Sequence, residues 1–235
     1  MSITIMWLGQ GGYLLKTDKG SLSIDPFCTD AKGICERMYP NFIDKGSVSV
    51  DLVLSTHDHW DHFDAETYRD YVIPKTFVGP GSCMKLYKES GLPFEAVELN
   101  RGEVLERAGF RITATVADHT ADSVGYFVET EGLKLYFTGD TLYTAKLLEG
   151  NAELRPDVIF TCINGKLGNM GYHEAARYAR FLGVKVAVPN HYDMIRHNTE
   201  NPQEFVNALA QVAPEIPSVV LESKVEYPME YIIKK

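Results

Sequence analysis

The 235-residue sequence lacks the marks of several common protein classes. Its four cysteines, Cys28, Cys35, Cys83 and Cys162, show no Cys-x-x-Cys spacing, so neither a disulfide framework nor a structural zinc knuckle is expected. No apolar run approaches the ~18 residues of a membrane helix, and the N-terminus has no basic region of a signal peptide. We therefore expect a soluble, cytoplasmic protein with no membrane partner.

Positive charge is scarce as well. Lysine and arginine number 23 against 32 aspartates and glutamates, which gives a net charge of −9, and the chain has no run rich in lysine or arginine. Such a chain offers no field that would attract a polyanion. We expect a small-molecule substrate and no nucleic-acid partner, while the composition leaves open whether the chain forms a homo-oligomer.

The residues that are present indicate one layered domain over 1–235. Hydrophobic residues make up 45% of the chain, and no Ser/Gly-rich linker divides it. Strands are predicted over 3–8, 13–17, 21–24, 51–56, 110–116, 124–130, 133–138, 158–163 and 185–189. Helices are predicted over 144–149, 174–182 and 202–212. This order indicates α/β sheets flanked by helices, with an irregular excursion over 26–47.

Two glycine-containing segments predict turns. Glu131-Gly132 separates two strands and indicates a hairpin. Gly9-Gln10-Gly11-Gly12 resembles the start of a dinucleotide-binding loop, but a strand rather than a helix follows it. We therefore predict a tight hairpin turn there.

Six consecutive residues after the buried strand 51–56 concentrate metal-binding side chains. They read His57-Asp58-His59-Trp60-Asp61-His62. Packing does not explain three neighbouring imidazoles, because each has two ring nitrogens that need partners. In an extended segment the first two histidines point the same way and can converge on one ion, while the last two residues, where the chain turns, can face a second. The alternative, an exposed acidic loop, is disfavoured by the density of histidines.

Three further strand ends carry residues of the same types. Asp118-His119 follows strand 110–116, Gly139-Asp140 follows strand 133–138, and His191 follows strand 185–189. One histidine after a strand is weak evidence, but the shared position at strand ends favours a site for two ions. The predicted ligands are His57, His59 and His119 for one ion, His62, His191 and Asp61 for the other, and Asp140 as a bridge.

This order of ligands resembles that of the metallo-β-lactamase superfamily, and the resemblance covers nearly the whole chain. It implies a single-domain, four-layer αββα sandwich with the metals between the strand ends of its two sheets. Four segments further resemble the branch that contains ascorbate-6-phosphate lactonase, although this chain is shorter than those lactonases. They are Arg37-Met38-Tyr39-Pro40, Ser55-Thr56-His57-Asp58-His59, Ile163-Asn164-Gly165-Lys166 and Pro189-Asn190-His191-Tyr192-Asp193.

Two divalent ions in such a cage make hydroxide available at neutral pH, because they lower the pKa of a bridging water toward ~7. The predicted reaction is hydrolysis by that hydroxide, and the lactonase resemblance favours a sugar lactone, with or without a phosphate, as substrate. Asp61 is expected to orient the hydroxide, while the metal opposite polarises the carbonyl. Histidine ligands suit zinc and the lactonase resemblance favours manganese, so both are expected cofactors.

The sequence also suggests residues that surround the metal ligands. A metal-bound imidazole usually donates its second N–H to an acceptor, and the candidate acceptors are Asp25, Asp58 and Asp193, each of which also fits an ordinary loop aspartate. The candidate contacts to an anionic or polar substrate group are Lys166, Arg196, Arg37 and Asn164. His197 is expected at the surface, and His173 is left open between a surface residue and a proton donor.

Three other functions fit parts of the pattern. A phosphodiesterase would use the same cage, although the acidic charge restricts it to a small phosphodiester. An oxygen-reducing diiron protein of the same fold would carry an acidic residue where this chain has His59. A non-catalytic scaffold would be expected to have lost ligands, and none is missing.

Overall fold

A computed structural model describes residues 3–30 and 35–234 and contains two mixed sheets. The first has the strands β1 (Thr4–Gly9), β2 (Gly12–Lys16), β3 (Ser21–Ile24), β4 (Val48–Leu54), β5 (Val72–Gly79), β6 (Glu95–Glu98) and β13 (Glu226–Pro228). Their order is β13-β1-β2-β3-β4-β5-β6. Pairing is antiparallel from β13 to β3 and parallel from β3 to β6.

The second sheet has the strands β7 (Val104–Arg107), β8 (Phe110–Val116), β9 (Val124–Thr130), β10 (Leu133–Phe137), β11 (Val158–Cys162) and β12 (Val186–Asn190). Their order is β12-β11-β10-β9-β8-β7, with β10, β11 and β12 parallel and the other pairs antiparallel. The helices are α1 (Ala65–Asp70), α2 (Gly81–Ser90), α3 (Ala145–Asn151), α4 (Tyr172–Leu182), α5 (Pro202–Val212) and α6 (Met229–Ile233).

Alternation of side chains along the strands builds the layers. In β2, Tyr13 faces the second sheet, and its ring centroid lies 5.3 Å from that of Phe137. The next residue, Leu14, points to the opposite face and joins a separate cluster that contains Phe77 and residues of α1 and α2. Helices α1 and α2 pack on β5 of the first sheet, whereas α3, α4 and α5 pack on β8, β11 and β12 of the second. This arrangement confirms the predicted αββα sandwich.

The predicted turns are both present. Glu131 and Gly132 have φ of 48° and 80° and join β9 to β10, as the tight hairpins that favour Gly require. Residues 10–11 join β1 to β2. Helix α4 begins at Tyr172, two residues before the predicted start, because the Glu174 carboxylate accepts a hydrogen bond from Gly171 N at 3.0 Å and caps the first turn.

The described helices are all too short or too polar to cross a bilayer. The strands that matter for function are β4, β8, β10 and β12, because the candidate ligands occupy the loops that follow them.

Candidate metal centre

Four loops bring the seven predicted ligands to one place. The loop after β4 carries the three histidines and Asp61 of the 57–62 segment, and the loops after β8, β10 and β12 carry His119, Asp140 and His191. His191 is 1% exposed and Asp61 and Asp140 are 5% exposed, so the centre is enclosed by protein. His59 is the exposed member, at the mouth.

Two groups of three side chains can each hold an ion. His57, His59 and His119 form one group, and His57, His62 and Asp140 form the other. Within each group the ligand atoms lie within 4.8 Å of one another. His57 belongs to both groups and therefore stands at their junction.

Asp140 belongs to the second group and also approaches His119 of the first. Its Oδ1 is 2.7 Å from His191 Nε2 and 3.4 Å from His62 Nε2, and its Oδ2 is 3.8 Å from His119 Nε2. Asp61 completes the set, since its Oδ2 is 3.8 Å from His62 Nε2. The geometry thus brings together all seven side chains that the sequence singled out.

Buried atoms in this centre lack hydrogen bonds. His57 Nε2, His62 Nε2, His191 Nε2 and Asp140 Oδ1 make none of acceptable geometry within the described part of the chain. An unsatisfied buried polar group costs on the order of 1–3 kcal/mol, which coordination of a cation would relieve.

The spacing of the imidazoles also suits a metal. His59 Nδ1 and His119 Nε2 are 3.1 Å apart. Two nitrogens bound about 2.0–2.1 Å from one tetrahedral ion lie about 3.3 Å apart. The orphaned atoms and this spacing together define a His/Asp metal-binding site.

The surroundings of His57 and His59 lower the pKa of both imidazoles and so favour the form that binds a cation. Burial, and then the neighbouring His62, hold the pKa of His57 well below its ordinary value. Burial, and then His119, lower the pKa of His59. Both imidazoles are therefore neutral at neutral pH, which is the form that binds metal. Burial also opposes a charge on His62, but Asp140 and the other carboxylates outweigh it and raise the pKa of His62 well above its ordinary value.

Asp25 supports two of the imidazoles. Its Oδ2 lies 2.7 Å from His62 Nδ1 and accepts a hydrogen bond of 2.7 Å from Thr56 Oγ1. Thr56 Oγ1 in turn lies 3.0 Å from His57 Nδ1. One buried carboxylate therefore reaches His62 directly and His57 through a hydroxyl group, an arrangement that fixes ring orientation in metal sites.

The other two predicted acceptors do not reach an imidazole. Asp58 is half-buried beside the cage, and Asp193 is exposed, with its backbone N–H bonded to Thr199 Oγ1 at 2.8 Å. Other imidazoles of the centre are contacted instead by two groups that the sequence did not suggest, Gly168 O and the Gln10 side chain. Gly168 O lies 3.0 Å from His119 Nδ1. Gly168 has a φ of 88°, and a Cβ there would lie 2.9 Å from the same nitrogen, so glycine is required.

Gln10 is the second unexpected support. Its Nε2 lies 3.1 Å from Asp61 Oδ2 and 3.0 Å from His191 Nδ1, and the residue is 0% exposed. The Gly-Gln-Gly-Gly turn was expected to serve only as a hairpin. A long amide side chain between glycines was the signal, because glycines let the backbone approach closely: a Cβ on Gly11 would lie 3.0 Å from His62 Cε1.

The cations that the sequence singled out as substrate contacts bond to protein groups outside the seven candidate ligands. Lys166 Nζ donates to Thr199 O at 2.9 Å, and Arg196 Nε pairs with Glu36 at 2.8 Å. Arg37 turns inward, with Nη1 donating to Thr29 O at 2.8 Å. All three are engaged with protein groups.

Asn164 and the remaining histidines lie in three different settings. Asn164 is 1% exposed, and its Nδ2 donates to Asn198 Oδ1 while its Oδ1 accepts from Asn169 Nδ2 at 3.0 Å. His173 is exposed at the start of α4 with its ring against Tyr172. His197 is exposed and lines a pocket with Trp60.

The fold and the centre define a metal-binding αββα protein, and comparisons with known proteins agree. A family model described as a beta-lactamase superfamily domain matches residues 4–191. A UPF0173 metal-dependent hydrolase of Methanoregula boonei is 32% identical over 80% of this chain and 82% of that protein. Another, from Lawsonia intracellularis, is 30% identical over 94% of this chain and 97% of that protein.

The likeness extends to solved structures. Igni18, a novel metallo hydrolase from Ignicoccus hospitalis, superposes with a TM-score of 0.74 at 21% identity and covers 97% of this chain and 99% of that one. The chain belongs to the beta-lactamase superfamily and is a metal-dependent hydrolase, which confirms the superfamily resemblance.

Proposed function

We propose that the protein hydrolyses a lactone with two divalent ions, zinc or manganese, held in this cage. The observation that carries the dinuclear site is the position of Asp140, whose Oδ1 lies 2.7 Å from His191 Nε2 and whose Oδ2 lies 3.8 Å from His119 Nε2. One ion would be held by His57, His59 and His119, the other by His62, His191 and Asp61, with Asp140 shared. The lactone substrate is favoured by the four segments that resemble ascorbate-6-phosphate lactonase.

When bound, the ions would supply a water acidic enough to attack at neutral pH and positive charge for the carbonyl oxygen. The protein supplies the rest. Asp61 is held through Oδ2 by Gln10 Nε2, which leaves Oδ1 to accept a hydrogen bond from the attacking water and aim it. The water oxygen bonds to the carbonyl carbon, the ring C–O bond breaks, and a water proton ends on the ring oxygen of the hydroxy-acid product.

The test begins with elemental analysis of protein reconstituted with excess metal and then desalted. Near two equivalents per chain are expected, and a value well below one would refute the dinuclear site. Activity is then measured with Mn²⁺ or Zn²⁺ on a lactone, a thioester, a small phosphodiester and a β-lactam. Hydrolysis of the lactone above the others is the expected result. A preference for the phosphodiester would overturn the substrate class and leave the metal site standing.

A further inference from the structure

A pocket of about 390 Å³ has in its wall Trp60, which stands between His59 and Asp61 in the chain. Its apolar walls are Trp60, Leu167 and Ile195, and the rest of the lining includes Cys35, Glu36 and Asn198. The volume falls in the range of about 300–1,000 Å³ that suits small organic molecules.

Two residues of the pocket wall are direct neighbours in the chain of residues at the metal centre. Trp60 stands between His59 and Asp61, and Leu167 precedes Gly168, whose carbonyl oxygen contacts His119. A substrate with its reacting carbonyl at the cage would therefore extend its substituent along these side chains.

Leu167 is an unusual residue for a surface loop. It is 75% exposed and has a φ of 53°, a left-handed conformation that large side chains rarely adopt. Strain of this kind persists at sites where the surrounding structure holds the residue for a purpose. An exposed leucine held in this way presents apolar surface to whatever enters the pocket.

The charged residues in and around the pocket also favour an uncharged ligand. Among the described residues that line the pocket there is no lysine or arginine, and its carboxylate, Glu36, is paired with Arg196. The net charge of −9 also disfavours the approach of an anion. At the polar edge of the pocket, Asn198 Oδ1 accepts a hydrogen bond from Asn164 Nδ2. The Asn198 amino group is therefore the part of this side chain that can donate to a ligand.

We propose that this pocket binds an uncharged, apolar substituent of the substrate, a short alkyl chain or single ring attached to the lactone, in place of a phosphorylated sugar. The proposal rests on the lactone hydrolysis proposed above. It names Trp60, Leu167 and Ile195 as specificity-determining residues, with Asn198 positioned to donate to a polar atom near the ring.

Cys35 provides a test that needs no metal and no turnover. It is the half-exposed cysteine of the four, while Cys28, Cys83 and Cys162 are buried. Burial raises the pKa of the Cys35 thiol, so alkylation by iodoacetamide is followed at pH 9. The probe is a δ-lactam with a short alkyl chain, an uncharged analogue of the lactone that resists hydrolysis. With about 80% of the pocket filled, alkylation of metal-free protein should slow about fivefold, since only the empty fraction reacts.

Matched probes and variants test whether the protection comes from the pocket. The unsubstituted lactam and a phosphorylated sugar lactone should protect much less. Leu167→Asn keeps the left-handed backbone, which asparagine tolerates, and should abolish protection. Val104→Asn, at an exposed valine on β7, is the control and should leave protection intact. The alkyl lactam should also change the fluorescence of the wild type but not of Trp60→Phe, whose remaining Trp7 is 2% exposed.

The outcomes separate the two proposals. Protection without lactone hydrolysis would keep the pocket and overturn the proposed reaction. Lactone hydrolysis with no protection and no fluorescence change would overturn the pocket. Equal protection by the unsubstituted lactam, or stronger protection by the phosphorylated compound, would also overturn it.

Discussion

Replacement of Gln10 by methionine should weaken metal binding about 10- to 100-fold, the usual effect of removing a group that orients metal ligands. Gln10 lies within hydrogen-bond distance of both Asp61 and His191, at 3.1 Å and 3.0 Å. It is 0% exposed, so water cannot take its place. Methionine keeps the length and the unbranched stem and removes every donor and acceptor.

Gln10 restrains two candidate ligands at once, which is why the loss should appear in metal affinity. Its Nε2 donates to Asp61 Oδ2 and lies 3.0 Å from His191 Nδ1. Without this amide both side chains lose a group that orients them toward an ion. A tenfold to hundredfold change corresponds to about 1.4–2.8 kcal/mol, the size expected for one hydrogen bond to a charged group.

The assay is competition for Zn²⁺ and Mn²⁺ against a chromogenic chelator at neutral pH, together with thermal unfolding in excess EDTA. Gln211→Met, at an exposed position on α5, is the matched control and should bind metal as the wild type does. In a double-mutant cycle, Gln10→Met should cost less when His191 is already alanine, because the shared contact is gone. Unchanged affinity in Gln10→Met, with an unchanged unfolding temperature in EDTA, would refute the role assigned to Gln10.

Three further results are expected. His57→Ala should lower the metal content and kcat together, because one ion loses a direct ligand; an unchanged metal content by elemental analysis would contradict this. Asp61→Asn should keep the ion of the three-histidine group while kcat falls roughly 10²-fold or more, and near-full kcat with both metals would make Asp61 a structural carboxylate. Asp51 has a lowered pKa, chiefly because Lys75 Nζ bonds to it at 2.8 Å. Its stabilisation is therefore present above the unfolded pKa of about 3.9 and lost as the pH falls through the lower folded value. The urea-unfolding difference between Asp51→Asn and wild type in EDTA should thus shrink from pH 7 to pH 3, and a constant difference would contradict the shift.

The meeting of the candidate metal ligands was predictable because their positions depend on local pattern and on one topological rule. Strands over 110–116 and 124–130 were predicted with the bounds that the structure shows. Parallel and mixed strands carry functional loops at shared edges, so residues at four strand ends were expected to meet. The order of strands and helices predicted layered α/β sheets flanked by helices, whereas the αββα sandwich was implied by the resemblance of the ligand order to the superfamily.

The surroundings of the cage were less predictable because they depend on contacts between distant residues. The partners of Lys166 and Arg196 lie in other loops, and nothing in their own neighbourhood in the sequence shows that these cations are engaged. Likewise, Asp25 was named only as one of three equivalent candidates. What distinguishes it from Asp193 is a 2.7 Å contact across 37 positions of the chain, which no local pattern encodes.

Several residues in and around the metal centre have strained backbones. Eight described residues other than glycine have positive φ, and Gln10, Asp25, Leu167 and His191 are among them, at 49°, 43°, 53° and 61°. A left-handed residue costs about 1–2 kcal/mol, so these four backbone positions store an appreciable fraction of a typical folding free energy. The strands that precede three of them, β1, β3 and β12, are hydrogen-bonded into the sheets and supply the rigidity that holds this strain. Gln10, Asp25 and His191 are therefore restrained by their backbones as well as by their hydrogen bonds, and this double restraint sets the spacing of the side chains that would hold the ions.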